Sequence, residues 1–130
     1  MRTLIICVSV HHGNTEKIAR AMADVLGARL LHVRHADAEM LEQHDLIGFG
    51  SGIYFGRHHR SLLDFADGLP AFRDKKAFIF STSGVRKMWL VHDFDRPLRA
   101  RLQRKGFRIV GEFSCRGFDT FGAAGIIGGM

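Results

Sequence analysis

The sequence predicts an α/β domain: one open, doubly wound parallel sheet with helices on both faces. Three observations carry that expectation. Short continuous apolar runs recur along the chain, with the length and composition of strands buried on both sides. Between them lie stretches whose apolar residues repeat at helical spacing. The chain also holds 15 Gly against 2 Pro, which favours tight loops over Pro-rich linkers. Strands alternating with helices require crossover connections, and so parallel pairing.

Each element follows in order. Residues 3–9, Thr-Leu-Ile-Ile-Cys-Val-Ser, form the first strand. Residues 15–27 form a helix with Ile18, Met22, Val25 and Leu26 on one face, Glu16, Lys17, Arg20 and Asp24 elsewhere, and Gly27 as its stop. A second strand at 28–33, a short helix at 37–43 and a third strand at 45–51 continue the alternation. Leu62, Leu63, Phe65, Ala66 and Leu69 mark a helix over 61–69, stopped by Gly68 and Pro70. The fourth strand spans 76–82. Asp95 is the expected N-cap of the next helix, with Pro97 in its first turn, Leu98 and Leu102 facing inward and Gly106 at its end. The fifth strand covers 107–114. The Gly-rich tail at 121–130 has no helical pattern, so no helix is expected after that strand.

The 130 residues make a single domain, 1–130, without an internal repeat or low-complexity block. With 46% hydrophobic and 25% charged residues, wholesale disorder is excluded. No apolar run approaches the ~20 residues of a membrane span. The first run ends in a polar loop without a signal-peptide cleavage pattern. Two cysteines, Cys7 and Cys115, cannot build a disulfide framework and point to a reducing, cytoplasmic setting. The net charge of +6 is the unusual quantity. It suits acidic or anionic partners. The basic residues are spread over several segments rather than gathered in one stripe, so a nucleic-acid reader is not expected.

In an open parallel sheet, ligands bind beyond the carboxyl ends of the strands, where strand order reverses. Four loops leave those ends, at 9–15, 51–59, 82–94 and 114–122, and all are rich in Gly, hydroxyl, aromatic or His residues. The first, Val10-His11-His12-Gly13-Asn14-Thr15, opens directly into a helix. Its free N–H groups and the helix dipole favour a phosphate. It is neither a Walker loop nor Gly-x-Gly-x-x-Gly. Taken alone, it reads equally as a Gly-Asn turn capped by Thr15.

Gly13-Asn14-Thr15-Glu16, after an apolar strand and before an amphipathic helix, resembles the phosphate loop of flavodoxins. The segment Gly48-Phe49-Gly50-Ser51-Gly52-Ile53-Tyr54-Phe55-Gly56 resembles their first flavin-flanking loop, and Ser81-Thr82-Ser83-Gly84 stands where the second belongs. The resemblance covers about residues 3–120. It implies a five-stranded sheet of order 2-1-3-4-5, the order for which flavodoxins are themselves a standard example, with FMN at the switch point between strands one and three. It also implies cofactor-binding roles for Val10, His11, His12, Gly13, Asn14, Thr15, Gly52, Ile53, Tyr54, Phe55, Gly56, Ser81, Thr82, Ser83 and Gly84. Val10, His11 and His12 stand where typical members carry hydroxyls. Phosphate binding would then rest on backbone N–H groups, Asn14, Thr15 and an imidazolium.

Tyr54, the only tyrosine, lies where family members contact the flavin ring. Trp89, the only tryptophan, could cover the other side of the ring or pack on the following helix. The pairs His11-His12 and His58-His59 lack the i, i+4 spacing and third ligand of a zinc site, so no metal is expected. Cys7 reads as a strand core residue. Ser51, Ser81, Ser83 and Ser114 lack a nucleophile-elbow context, so no Ser-His-Asp arrangement is legible and no residue is assigned a catalytic role.

The resulting expectation is an FMN-binding electron-transfer flavoprotein that reduces quinones or another acceptor. Its partner would be a redox protein or small molecule, acidic or anionic. The alternative is an interaction or regulatory module of the same frame that has lost FMN. Without a final helix, apolar side chains of the last three strands should meet water on the face of the first helix. Three readings would account for this: a chain shortened from a longer one, self-association through that face, or the tail packing there as irregular backbone.

Overall fold

The computed structural model describes residues 1–8, 14–54, 57–82 and 93–115. Its strands are β1 (Thr3–Val8), β2 (Arg29–His32), β3 (Leu46–Tyr54), β4 (Arg57–His58), β5 (Lys75–Thr82) and β6 (Phe107–Cys115). Its α-helices are α1 (Asn14–Leu26), α2 (Ala38–Glu42), α3 (Arg60–Asp67) and α4 (Arg96–Arg104). The sheet runs β2-β1-β3-β5-β6, all parallel, with β4 added antiparallel to β3. This is the expected 2-1-3-4-5 order with one unexpected short strand. The tail at 121–130 lies outside the described residues.

Side chains alternate across the pleat, as strand geometry dictates. Leu4, Ile6, Val8, Ile47, Phe49, Ala77 and Ile79 enter one core with Leu41, Leu62, Leu63, Leu98 and Leu102. Ile5, Cys7, Phe78 and Phe80 enter the other, beneath Ile18, Ala19, Met22 and Ala23 of α1. Val25 was expected inward but is exposed. The small residues Ala19 and Ala23 shift the buried arc of α1 away from it.

The expectation of bare strands on the α1 face is not met at Phe78 and Phe80, which are 2% and 1% exposed. They pack with Ile18, Ala19, Met22 and Ala23 of α1, and β3 makes room for their rings. Gly48 pairs with Phe78 and Gly50 with Phe80. A Cβ on Gly48 would sit 2.3 Å from the Phe78 ring, and one on Gly50 2.2 Å from the Phe80 ring. The rings therefore lie over the glycines instead of standing up from the sheet. Phe113 of β6, half-buried, extends the row, 6.2 Å from Phe78 between ring centres.

Helix ends follow local chemistry. Gly27, at φ +63°, closes α1 in the left-handed conformation that glycine tolerates best. Asp37 caps α2, its carboxylate accepting the Met40 N–H at 2.9 Å. The buried Lys75 donates to the carbonyls of Glu42, at 2.8 Å, and His44, just beyond α2. Gly106 after α4 has φ +91°, and a Cβ there would meet the Phe72 carbonyl oxygen at 2.0 Å. Asp95 precedes α4 as expected, but its side chain makes no cap hydrogen bond. It is engaged elsewhere.

Candidate functional site

Parallel register brings the carboxyl ends of the central strands together. Val8 lies opposite Ser51, Gly52 opposite Thr82, and Ser81 opposite Ser114. The chain leaves β1 toward β2 on one side and β3 on the other, so the reversal of strand order falls at β1/β3. The N-terminus of α1 rises from this same end. Thr15, in its first turn, is buried, with Oγ1 2.8 Å from Oγ1 of the buried Thr82. Two hydroxyls bonded to each other use one of their two protons. The second proton remains for an acceptor at the helix N-terminus, where first-turn N–H groups also lack intrahelical partners.

The segment expected as a loop at 51–59 is largely a hairpin. β3 continues through Gly52, Ile53 and Tyr54, and Arg57–His58 returns along it, with Ile53 opposite His58 and Tyr54 opposite Arg57. A two-residue strand rich in charge carries no apolar alternation, so sequence pattern missed it. Asn14 is the first residue of α1, and Ser81 and Thr82 end β5. Val10, His11, His12, Gly13, Phe55, Gly56, Ser83, Gly84 and Trp89 lie outside the described residues.

One polar chain was not legible in the sequence. His58, whose side chain is 0% exposed, has Nδ1 2.9 Å from Ser51 Oγ and Nε2 2.7 Å from Asp95 Oδ1. Ser51 Oγ also accepts the His59 N–H at 2.9 Å and lies 2.7 Å from the Gly52 carbonyl oxygen. Glu112 of β6 lies beside Asp95. Glu112 takes Arg99 at 2.7 Å, and Arg99 also pairs with Asp93. Burial first, and then the adjacent Asp95, hold the Glu112 carboxyl above the usual carboxylate range, although Arg99 pulls the other way. The Arg99 guanidinium holds Asp93 below that range. The signal that could have exposed this chain is the seven-residue gap between Ser51 and His58, which a hairpin closes.

The other histidines among the described residues make local bonds. His59 Nδ1 accepts the Ser61 N–H at the start of α3. His44 is buried against the Met40 carbonyl, and His32 Nδ1 accepts the Arg34 N–H. Cys7 is a core residue, as expected, and burial pushes its thiol up to about 11.

The model of the flavodoxin domain family matches residues 5–109. This chain belongs to the flavodoxin family. An uncharacterized protein of Methanocaldococcus jannaschii, MJ0298, is 47% identical over all 130 residues, covering 85% of its own length. Flavodoxin 2 from Bacillus cereus superposes with a TM-score of 0.75 at 20% identity, covering 98% of this chain and 95% of that one. An NADH:FMN oxidoreductase superposes with a TM-score of 0.75 at 21% identity, covering 99% of this chain and 86% of that one. The fold is thus shared with a flavodoxin and with an NADH:FMN oxidoreductase. No helix among the described residues is long and apolar enough to cross a membrane.

Proposed function

We propose that this flavodoxin-family chain binds FMN non-covalently and passes electrons through it to an acidic or anionic acceptor, a protein or a quinone-like molecule, in a reducing compartment. The observation that carries the reading is the juxtaposition of the Thr15–Thr82 hydroxyl pair, the N-terminus of α1 and the Gly52–Tyr54 end of β3 at the reversal of strand order. That donor set fits a phosphate dianion. The spare hydroxyl proton and the first-turn N–H groups are all donors, and charge-assisted bonds of this kind are the strong ones.

When bound, FMN supplies the one- and two-electron chemistry. The chain's part is binding and orientation. Asn14 and Thr15 hold the phosphate end. Gly52, Ile53 and Tyr54 flank the ring, with Thr82 and Ser81 across from them. Exposed Arg57, paired in register with Tyr54, adds positive charge at the rim. Such charge favours an anionic acceptor and stabilises negative charge on a reduced cofactor.

Titration of apoprotein with FMN and with riboflavin tests the reading. Wild type should take up FMN and show flavin absorption bands. Thr15→Ala should weaken FMN binding by about 1–3 kcal/mol, the scale of a charge-assisted hydrogen bond, and leave riboflavin unchanged. A protein that takes up neither ligand is the module without FMN. Equal loss for both ligands moves Thr15 away from the phosphate. Because one fold neighbour is an NADH:FMN oxidoreductase, a pyridine nucleotide belongs in the donor screen beside protein donors.

A further inference from the structure

The Ser51–His58–Asp95 chain has the residue types of a hydrolase triad, but its geometry excludes that chemistry. Ser51 is 0% exposed, and its hydroxyl already meets the His59 N–H, the Gly52 carbonyl and His58. The imidazole presents Nδ1, not Nε2, to the serine. In hydrolase triads the base faces serine through Nε2. No substrate carbonyl could reach this oxygen.

What the imidazole does instead follows from the elements it joins. Ser51 immediately precedes Gly52–Tyr54, the first segment flanking the candidate FMN site. Asp95 lies immediately before α4. One buried ring thus ties the root of that segment to the start of α4. Arg99 of α4 pairs in turn with Glu112 of β6 and with Asp93. Both ring nitrogens are committed, and a buried polar group holds its position through such bonds because losing either leaves an unmet donor or acceptor. A phenyl or isobutyl group of similar size could fill the space but could fix neither distance.

We propose that His58 is a positioning residue that holds the Gly52–Tyr54 wall of the FMN slot at a set distance from the start of α4, through Ser51 on one side and Asp95 on the other. The inference rests on the FMN reading. It predicts a defect at the ring end of the cofactor, distinct from the phosphate-end defect of Thr15→Ala.

The test uses the full chain as His58→Ala and His58→Gln, with Leu102→Ala as a destabilised control remote from the slot. Apoprotein hydrogen exchange reads the tie directly. Amides of Gly52, Ile53, Tyr54, Arg57 and His58 should exchange at least tenfold faster in His58→Ala, and less so in His58→Gln, whose amide can still reach Asp95. Flavin titration reads the consequence. Kd for FMN and for riboflavin should rise together, tenfold or more, in His58→Ala. In Leu102→Ala both should stay at the wild-type value under conditions where it is folded. Added imidazole, which fits the vacated space and can make both bonds, should restore affinity to His58→Ala. If His58→Ala does not fold, His58→Gln carries the same comparison. Wild-type flavin affinity in the His58 variants would overturn the proposal, as would a loss confined to FMN. If wild type binds no flavin, the FMN reading falls, and the positioning role falls with it even where the exchange data show the tie.

Discussion

On the face of α2, α3 and α4 the sheet meets aliphatic side chains from three helices. On the face of α1 it meets one helix and a row of phenyl rings lying over glycines. The first core is filled by volume: Leu41, Leu62, Leu63, Leu98 and Leu102 interleave with Leu4, Ile6, Ile47 and Ile79. The second is filled by shape, since the Phe78 and Phe80 rings occupy the space that side chains at Gly48 and Gly50 would need. A volume-filled core should be most sensitive to what is removed. A shape-filled core should be sensitive to what is added.

The largest expected effect tests the first half. Leu102 is 0% exposed, and Leu102→Ala should lower unfolding free energy by about 2–5 kcal/mol in chemical denaturation. A loss below 1 kcal/mol would mean that the aliphatic core relaxes around the gap. Gly50→Ala tests the second half by adding one carbon. Because the new Cβ would fall 2.2 Å from the Phe80 ring, it should cost about 1–3 kcal/mol despite alanine's better backbone entropy. Combining it with Phe80→Leu should recover part of that cost, a coupling of roughly 0.5–3 kcal/mol in a double-mutant cycle. Additive effects would show that ring and glycine do not share the space.

The smallest expected effect concerns charge where β6 meets α4. Glu112 has its folded pKa raised by burial and by Asp95. A carboxyl of that kind stabilises the fold below its unfolded pKa, and the contribution is lost as pH rises through the folded value. Glu112→Gln is uncharged at every pH, as the protonated acid is, and can still accept from Arg99. Melting temperature should therefore rise slightly at neutral pH. The gain should fade as pH falls into the carboxylate range, where Glu112 protonates itself. A gain that persists in acid would assign the effect to something other than this proton.

The sheet order was legible because each parallel strand is an apolar run between helical stretches, and the thirteen residues of α1 carry a clear apolar arc. β4 was not legible, because two residues, Arg57 and His58, give no period to read. Asp95 shows a different limit. Its place before Pro97 suggested a cap, yet the same short carboxylate serves His58, and only the three-dimensional meeting of β4 and α4 decides between these partners. Gly48 and Gly50 were read both as strand and as the start of the flanking segment, and only the register shows them as floors for Phe78 and Phe80. Within the candidate site, the proposed flanking segments were assigned from their order along the chain. The Thr15–Thr82 bond, between residues 67 apart, was beyond sequence reading.

The order β2-β1-β3-β5-β6 also has a consequence for synthesis on the ribosome. β1 is made first and stands inside the sheet. β2 then joins one of its edges and β3 the other. β5 adds to β3, and β6 adds to β5. No later parallel strand has to be threaded between two that are already paired. Each one docks on an edge left open by its predecessors, so the sheet can widen in the order in which the chain emerges.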